Sequence, residues 1–167
     1  MHMALQPKRV LDSQTIISHL MHITDANPQG NIHGGVVMRL ADEVGGICAA
    51  RHARRPVVTM AIDSMSFHSP IYIGNLVTVK ASLNYVGRTS MEVGVRVEAE
   101  DVLTGQVTHA NSAYLVYVAL DENSQPVEVP PLIAETPEEE RHMQEGKLRQ
   151  QERLRRRRED EARHAQQ

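Results

Sequence analysis

The sequence predicts an α+β domain in which one long helix lies across an antiparallel sheet. Three observations carry this: a glycine-led helical segment from Gly35 to about Ala53, strands of period-two alternation from Pro56 onward, and turn chemistry between those strands. At 167 residues the chain suits one domain with a tail and is long enough to bury a core.

Taken in order, Arg9 to Thr24 alternates weakly, and "TIISHLMHI" is its better strand. The segment "DANPQGNIHGG" is then a turn, because its Asn, Pro and Gly residues interrupt any regular element. On a 100° wheel the helix after it carries an apolar stripe of Val37, Leu40, Ala41, Val44, Ile47 and Cys48, the face expected on the sheet. Gly35, Met38, Asp42, Gly45, Gly46 and Ala49 share a second stripe. Two mid-helix glycines each cost roughly 1 kcal/mol against alanine. They predict close approach of another backbone or of a slim ligand to the face that holds Asp42.

Beyond the helix, "VVTMAIDSMSF", "NLVTVKASLNYV", "GRTSMEVGVRVEAE" and "QVTHANSAYLVYVAL" read as four consecutive strands of a meander, with turns that include "SPIYIG" and "DVLTGQ". Past Pro130-Pro131 the composition turns to Glu, Arg, Gln and Lys. A helix is expected there, capped at Thr136 with Pro137 at its first position and glutamates in its first turn. Met143, Leu148 and Leu154 are too few for a heptad seam, so this helix reads as solvated and fraying into disorder. The division expected is a domain over 8–132 and a charged helical extension over 133–167, partly disordered.

Composition removes several function classes. A net charge of −3 exerts no general pull toward nucleic acid, and acidic residues flank the basic run "RLRRRRE". One Phe, four Tyr and no Trp leave little to stack bases on. The single cysteine, Cys48, excludes an internal disulfide framework and fits a reducing compartment. No apolar run approaches about 18 residues and the N-terminus lacks an apolar leader, so the expectation is a cytoplasmic protein without a membrane span. There is no Walker or Rossmann glycine pattern.

The chemistry is concentrated in the turn and the helix after it. "GNIHGG" opens a helix whose first N–H groups, those of Gly34 and Gly35, form a ready site for an anion or a developing oxyanion. Asn27 and Asn31 add amides able to polarise a carbonyl or hold a water, and Asp42 adds a carboxylate. Together these make a minimal kit for acyl transfer to water. About 12 Å of helix separates Gly34 from Asp42, at roughly 1.5 Å per residue. One site cannot use both from one chain; either only one element acts, or the Asp comes from a second copy across a two-fold axis.

The stretch from "DANPQGNIHGG" through "LADEVGG" to "VVTMAIDSMSFHSPIYIG", with "VEVPPLIAETPEEERHMQEGK" further on, resembles the hotdog-fold acyl-CoA thioesterases. It is most similar to the cytosolic acyl-CoA hydrolase group, which includes bacterial broad-range and brain-type enzymes. The resemblance runs from about Arg9 to Glu145. It implies a helix wrapped by an antiparallel sheet and hydrolysis of medium- to long-chain fatty acyl-CoA without metal or added cofactor. It also implies active sites at a homodimer interface, and three such dimers in a hexamer. In that family the functional pair falls on Asp42, as general base or nucleophile, and on Asn27 of the opposite subunit. The N–H of Gly34 or Gly35 would hold the oxyanion, with Asn31 and His33 nearby; His33 either acts as an acid or only shapes the turn. Phosphates of CoA are expected at Arg88, Thr89 and Ser90, with Arg51, His52, Arg54 and Arg55 as the alternative. Cys48 reads as core. A hotdog 3-hydroxyacyl-thioester dehydratase and a non-catalytic acyl-CoA sensor are the competing functions.

Overall fold

Helix α1 (Gly34–Ala53) is the element around which the others are arranged in the computed structural model, which describes residues 5–164. The imidazole Nδ1 of His33 caps its start by accepting the Gly35 N–H at 2.9 Å. Its end is closed by Arg54 in the left-handed region, φ 53°, whose N–H returns to the Ala50 carbonyl. Val37, Leu40, Ala41, Val44 and Cys48 are buried against the sheet as their spacing predicts. Ile47, expected among them, is 43% exposed on the helix flank.

The chain order is β1 (Lys8–Arg9), β2 (Thr15–Leu20), α1, β3 (Val57–Phe67), β4 (Asn75–Val86), β5 (Ser90–Asp101), β6 (Gln106–Ala119), β7 (Leu132–Ile133) and α2 (Pro137–His164). Five strands form one antiparallel sheet in the order β2-β4-β5-β6-β3. The expected four-strand meander is therefore corrected: β4, β5 and β6 are a meander, but β3 pairs with β6 at the far edge. The connection after β3 is not a hairpin. It crosses past the turn before α1, where the Ile32 N–H binds the Ile71 carbonyl at 2.8 Å and Asn31 bridges Tyr72. A short parallel ladder of β1 with β7, Lys8 opposite Leu132, ties the two ends of the domain segment together.

Three strands of the sheet are irregular, one of them β6, where Ala110 is an extra residue because Val97 faces Asn111 and Glu98 faces His109. Thr59 faces Tyr117 and Ala61 faces Val116, so Met60 is an extra residue in β3; Asp63 is another, between Ile62 and Ser64. Asn84 is the extra residue of β4.

Helix α2 differs from the solvated, fraying helix expected. Its cap is as predicted: the Glu139 N–H binds Thr136 Oγ1 at 3.2 Å while Glu139 Oε2 accepts the Thr136 N–H. Its first half, however, is docked on the sheet. Gly146 is buried, and a Cβ there would stand 2.7 Å from Tyr85 Cβ. Glu92 of β5 is 1% exposed and receives Arg149 at 2.7 Å and Arg153 at 2.9 Å. Arg153 also binds Asp63, Asn84 donates to Glu92, and the Arg149 guanidinium lies 3.9 Å over the Tyr114 ring. Beyond Arg153 the helix carries exposed pairs such as Arg157–Glu161.

Candidate active site

Asn27, Asn31 and Gly34 meet in a cleft of about 300 Å³ that also touches Phe67, His68 and Asn111. The Asn27 side chain closes the turn that positions it, its Oδ1 accepting the N–H groups of Gln29 at 3.0 Å and Asn31 at 3.2 Å. This leaves its amide NH2 without an acceptor among the described residues. The two glycines at the helix start have different environments. The Gly35 N–H is taken by His33, whereas the Gly34 N–H has no acceptor among the described residues. A side chain on Gly34 would press on Phe67, since an added Cβ would lie 3.3 Å from its ring. His33 itself shapes the turn.

Asp42 stands apart from this cleft, two helical turns further on. Its neighbour Glu43 points outward and pairs with Arg39 at 2.8 Å. Asp42 is half-buried and held by one carboxylate oxygen: Thr59 Oγ1 donates to Oδ1 at 2.7 Å, and the Tyr117 hydroxyl lies 3.2 Å from the same atom. Oδ2 has no partner among the described residues. One position of the small face around Asp42 is filled from within the chain. A Cβ on Gly45 would stand 2.5 Å from the Tyr117 hydroxyl oxygen, so the close approach comes from a side chain of the same chain.

Arg88, Thr89 and Ser90 form the β4–β5 turn, closed by the Gly87 N–H on the Ser90 carbonyl at 2.8 Å. The Arg88 side chain is exposed and lies 3.6 Å from Glu128, beside a hollow of about 320 Å³ that reaches Pro131 and Met143. Ser90 is opposite Val118 and Met91 opposite Tyr117, which puts this turn at the same end of the sheet as Thr59. In the alternative cluster, Arg51 binds the Gln14 carbonyl at 2.6 Å and His52 is buried on the Pro130 carbonyl at 2.7 Å. Both are engaged in the fold. Cys48 is fully buried and its thiol is pushed up to about 12 by that burial, which leaves it no thiolate at neutral pH. Among the described residues no cluster of three or more His, Cys, Asp or Glu is placed to hold a metal, and no helix is long and apolar enough to cross a membrane.

The sequence pattern of the thioesterase superfamily matches residues 29–115, which hold the second half of the turn, α1, Thr59 on β3 and the β4–β5 turn with Arg88. The chain belongs to the thioesterase superfamily. Among relatives of this superfamily member, the cytosolic acyl coenzyme A thioester hydrolase of Rattus norvegicus is 38% identical over 146 residues, 86% of this chain and 38% of that protein. The chain thus spans well under half of that relative's length. The acyl-CoA hydrolase of Staphylococcus aureus, solved in complex with butyryl coenzyme A, coenzyme A and coenzyme A disulfide, superposes with a TM-score of 0.86 at 32% identity, over 93% of this chain and 94% of that one. Variants of that enzyme with an Asp, an Asn or a Thr replaced by Ala have also been solved. An apo-hexameric acyl-CoA thioesterase superposes at 0.88 with 37% identity, over 91% of this chain and 97% of that one. The architecture is the hotdog fold that the resemblance implies.

Two residues at the superfamily member's carboxylate escaped sequence reading. Thr59 and Tyr117 lie 17 and 75 positions from Asp42 and meet it only through the β3–β6 pairing. No local spacing announces that pairing.

Proposed function

We propose that this chain hydrolyses medium- to long-chain acyl-CoA thioesters to the free acid and CoA, acting as a homodimer within a larger assembly. The observation that carries the reading is the half-held carboxylate of Asp42: one oxygen is fixed by Thr59 and Tyr117, the other has no partner among the described residues. A carboxylate so arranged takes a proton from water while its orientation stays set. The hydroxide adds to the thioester carbonyl, and the resulting oxyanion falls to the Gly34 N–H and the Asn27 amide. Collapse expels the CoA thiolate, which needs no strong acid because an alkyl thiol has a pKa of about 8.5. Direct attack by Asp42, giving an anhydride that water then cleaves, uses the same groups. Asn27, Asp42 and Thr59 are also the residue types replaced in the Staphylococcus aureus variants.

The second chain enters through β3. This strand is eleven residues long, lies at the sheet edge and exposes Val58, Met60, Ile62 and Phe67. An edge of that length and character recruits another strand. Antiparallel pairing of two copies about Asp63 would bring Thr59 of one protomer beside Phe67 of its partner. Each Asp42 would then face the other chain's Asn27 and Gly34, resolving the separation of about 12 Å along one helix. The hexameric neighbour fits three such dimers.

Release of free CoA thiol from an acyl-CoA series up to palmitoyl-CoA, followed with a thiol reagent, tests the activity. Turnover is expected; binding without release at any acyl length would make the protein a sensor. Arg88→Glu is expected to raise KM several-fold and weaken its salt dependence while kcat changes little, since Arg88 would meet phosphate remote from the reacting carbon. An unchanged KM would move the phosphate contacts elsewhere.

A further inference from the structure

We infer that Tyr117 is a positioning residue for the Asp42 carboxylate, and that Gly45 is the opening in α1 through which it reaches it. This rests on the role proposed for Asp42. Tyr117 is 1% exposed in the middle of the core, yet its hydroxyl emerges beside the helix at 2.9 Å from the Asp42 carbonyl oxygen and 3.2 Å from Asp42 Oδ1. The approach exists only because position 45 lacks a side chain. A Cβ there would be 2.5 Å from the hydroxyl and 3.2 Å from the ring carbon that bears it. A mid-helix glycine is unfavourable against alanine, and this contact is what it makes possible.

One hydroxyl hydrogen therefore has two acceptors on the same residue. With Asp42 ionised, the hydrogen is drawn toward Oδ1, joining the Thr59 hydroxyl on that oxygen and leaving Oδ2 the stronger free base. When Oδ2 accepts a proton from water, the charge on Oδ1 is lost and the hydrogen turns to the backbone carbonyl oxygen, an acceptor that does not change on protonation. No proton leaves Tyr117 in this exchange. Burial, and next the negative charge of Asp42, hold its phenol well above the ordinary range. Around the pair, Thr59 on β3 is neutral, Cys48 on α1 is buried, and Glu43 is directed to Arg39.

The test is Tyr117→Phe in the assembled protein, with kcat, KM and the pH dependence of kcat measured beside Asp42→Ala. We expect kcat to fall about tenfold or more, as loss of a hydrogen bond to a charged group implies. KM should stay within about twofold, and the acid limb of the profile should move to higher pH. Gly45→Ala should give the same kcat and pH signature by displacing the hydroxyl. Added to Tyr117→Phe it should cost little more, because the atom it meets most closely is gone. If Asp42→Ala is inactive while Tyr117→Phe keeps wild-type kcat and pH profile and only melts earlier, Tyr117 is a packing residue and the inference falls alone. If Asp42→Ala is active, the proposed base falls and this inference with it. Should Tyr117→Phe fail to assemble, the Gly45→Ala profile decides in the same way.

Discussion

Two inactive variants, Asp42→Ala and Asn27→Ala, are expected to restore each other. Each alone should lower turnover by about two orders of magnitude or more, as removal of a positioned base or polariser does. Dissociated, mixed in equal amounts and reassembled, they should recover about a quarter of wild-type activity: half of randomly paired dimers are mixed, and one of the two sites in each is intact. The fold is the reason. Asn27 and Gly34 line a cleft that reaches Phe67 at one end of β3, whereas Asp42 is anchored on Thr59 at the other. Seven residues of strand lie between them, and two helical turns, about 12 Å, separate Gly34 from Asp42. Absence of recovery, with mixed dimers verified by mass, would place both groups of one site in a single chain.

The largest effect on stability is expected at the junction of α2 with the sheet. Glu92 has a fully buried side chain, and its charge is met there by Arg149 and Arg153, with Asn84 donating beside them. Arg149→Leu removes two of its hydrogen bonds and the guanidinium stacked on Tyr114. Breaking such a pair from one side costs about 3–5 kcal/mol. Adding Glu92→Met should return most of that loss, since an apolar replacement of the whole pair is near neutral. Urea unfolding at fixed protein concentration measures both. A loss below about 1 kcal/mol for Arg149→Leu would mean that water reaches the carboxylate when the arginine is gone.

Much of this was legible in the residues and some was not. Helix α1, its apolar stripe apart from Ile47, the turn that holds Asn27 and the cap at Thr136 follow from local chemistry, because their causes lie within one or two turns of chain. The position of β3 does not. Period-two alternation marks a strand without naming its neighbour, and the crossing after Phe67 is decided by packing against the turn before α1. Gly45 beside Asp42 correctly signalled a close approach, but nothing near it in sequence points to Tyr117. Helix α2 misled in the opposite direction. Its Arg and Glu content reads as a solvated surface, and the feature that docks it is a single buried glutamate some sixty positions earlier.

The irregular residues of the sheet also bear on how the chain is made. Asp63 of β3 and Asn84 of β4 both end on the cluster formed by Glu92, Arg149 and Arg153. A slip of β3 by one residue would turn Thr59 to the opposite face, and it would also carry Asp63 away from Arg153. The outermost strand is thus checked against a helix synthesised some ninety residues after it. During translation the strands emerge first, and their alignment stays provisional until Arg153 has left the ribosome. Until then the apolar edge waits open, and if that edge recruits a second chain as proposed, fastening of α2 would come before it.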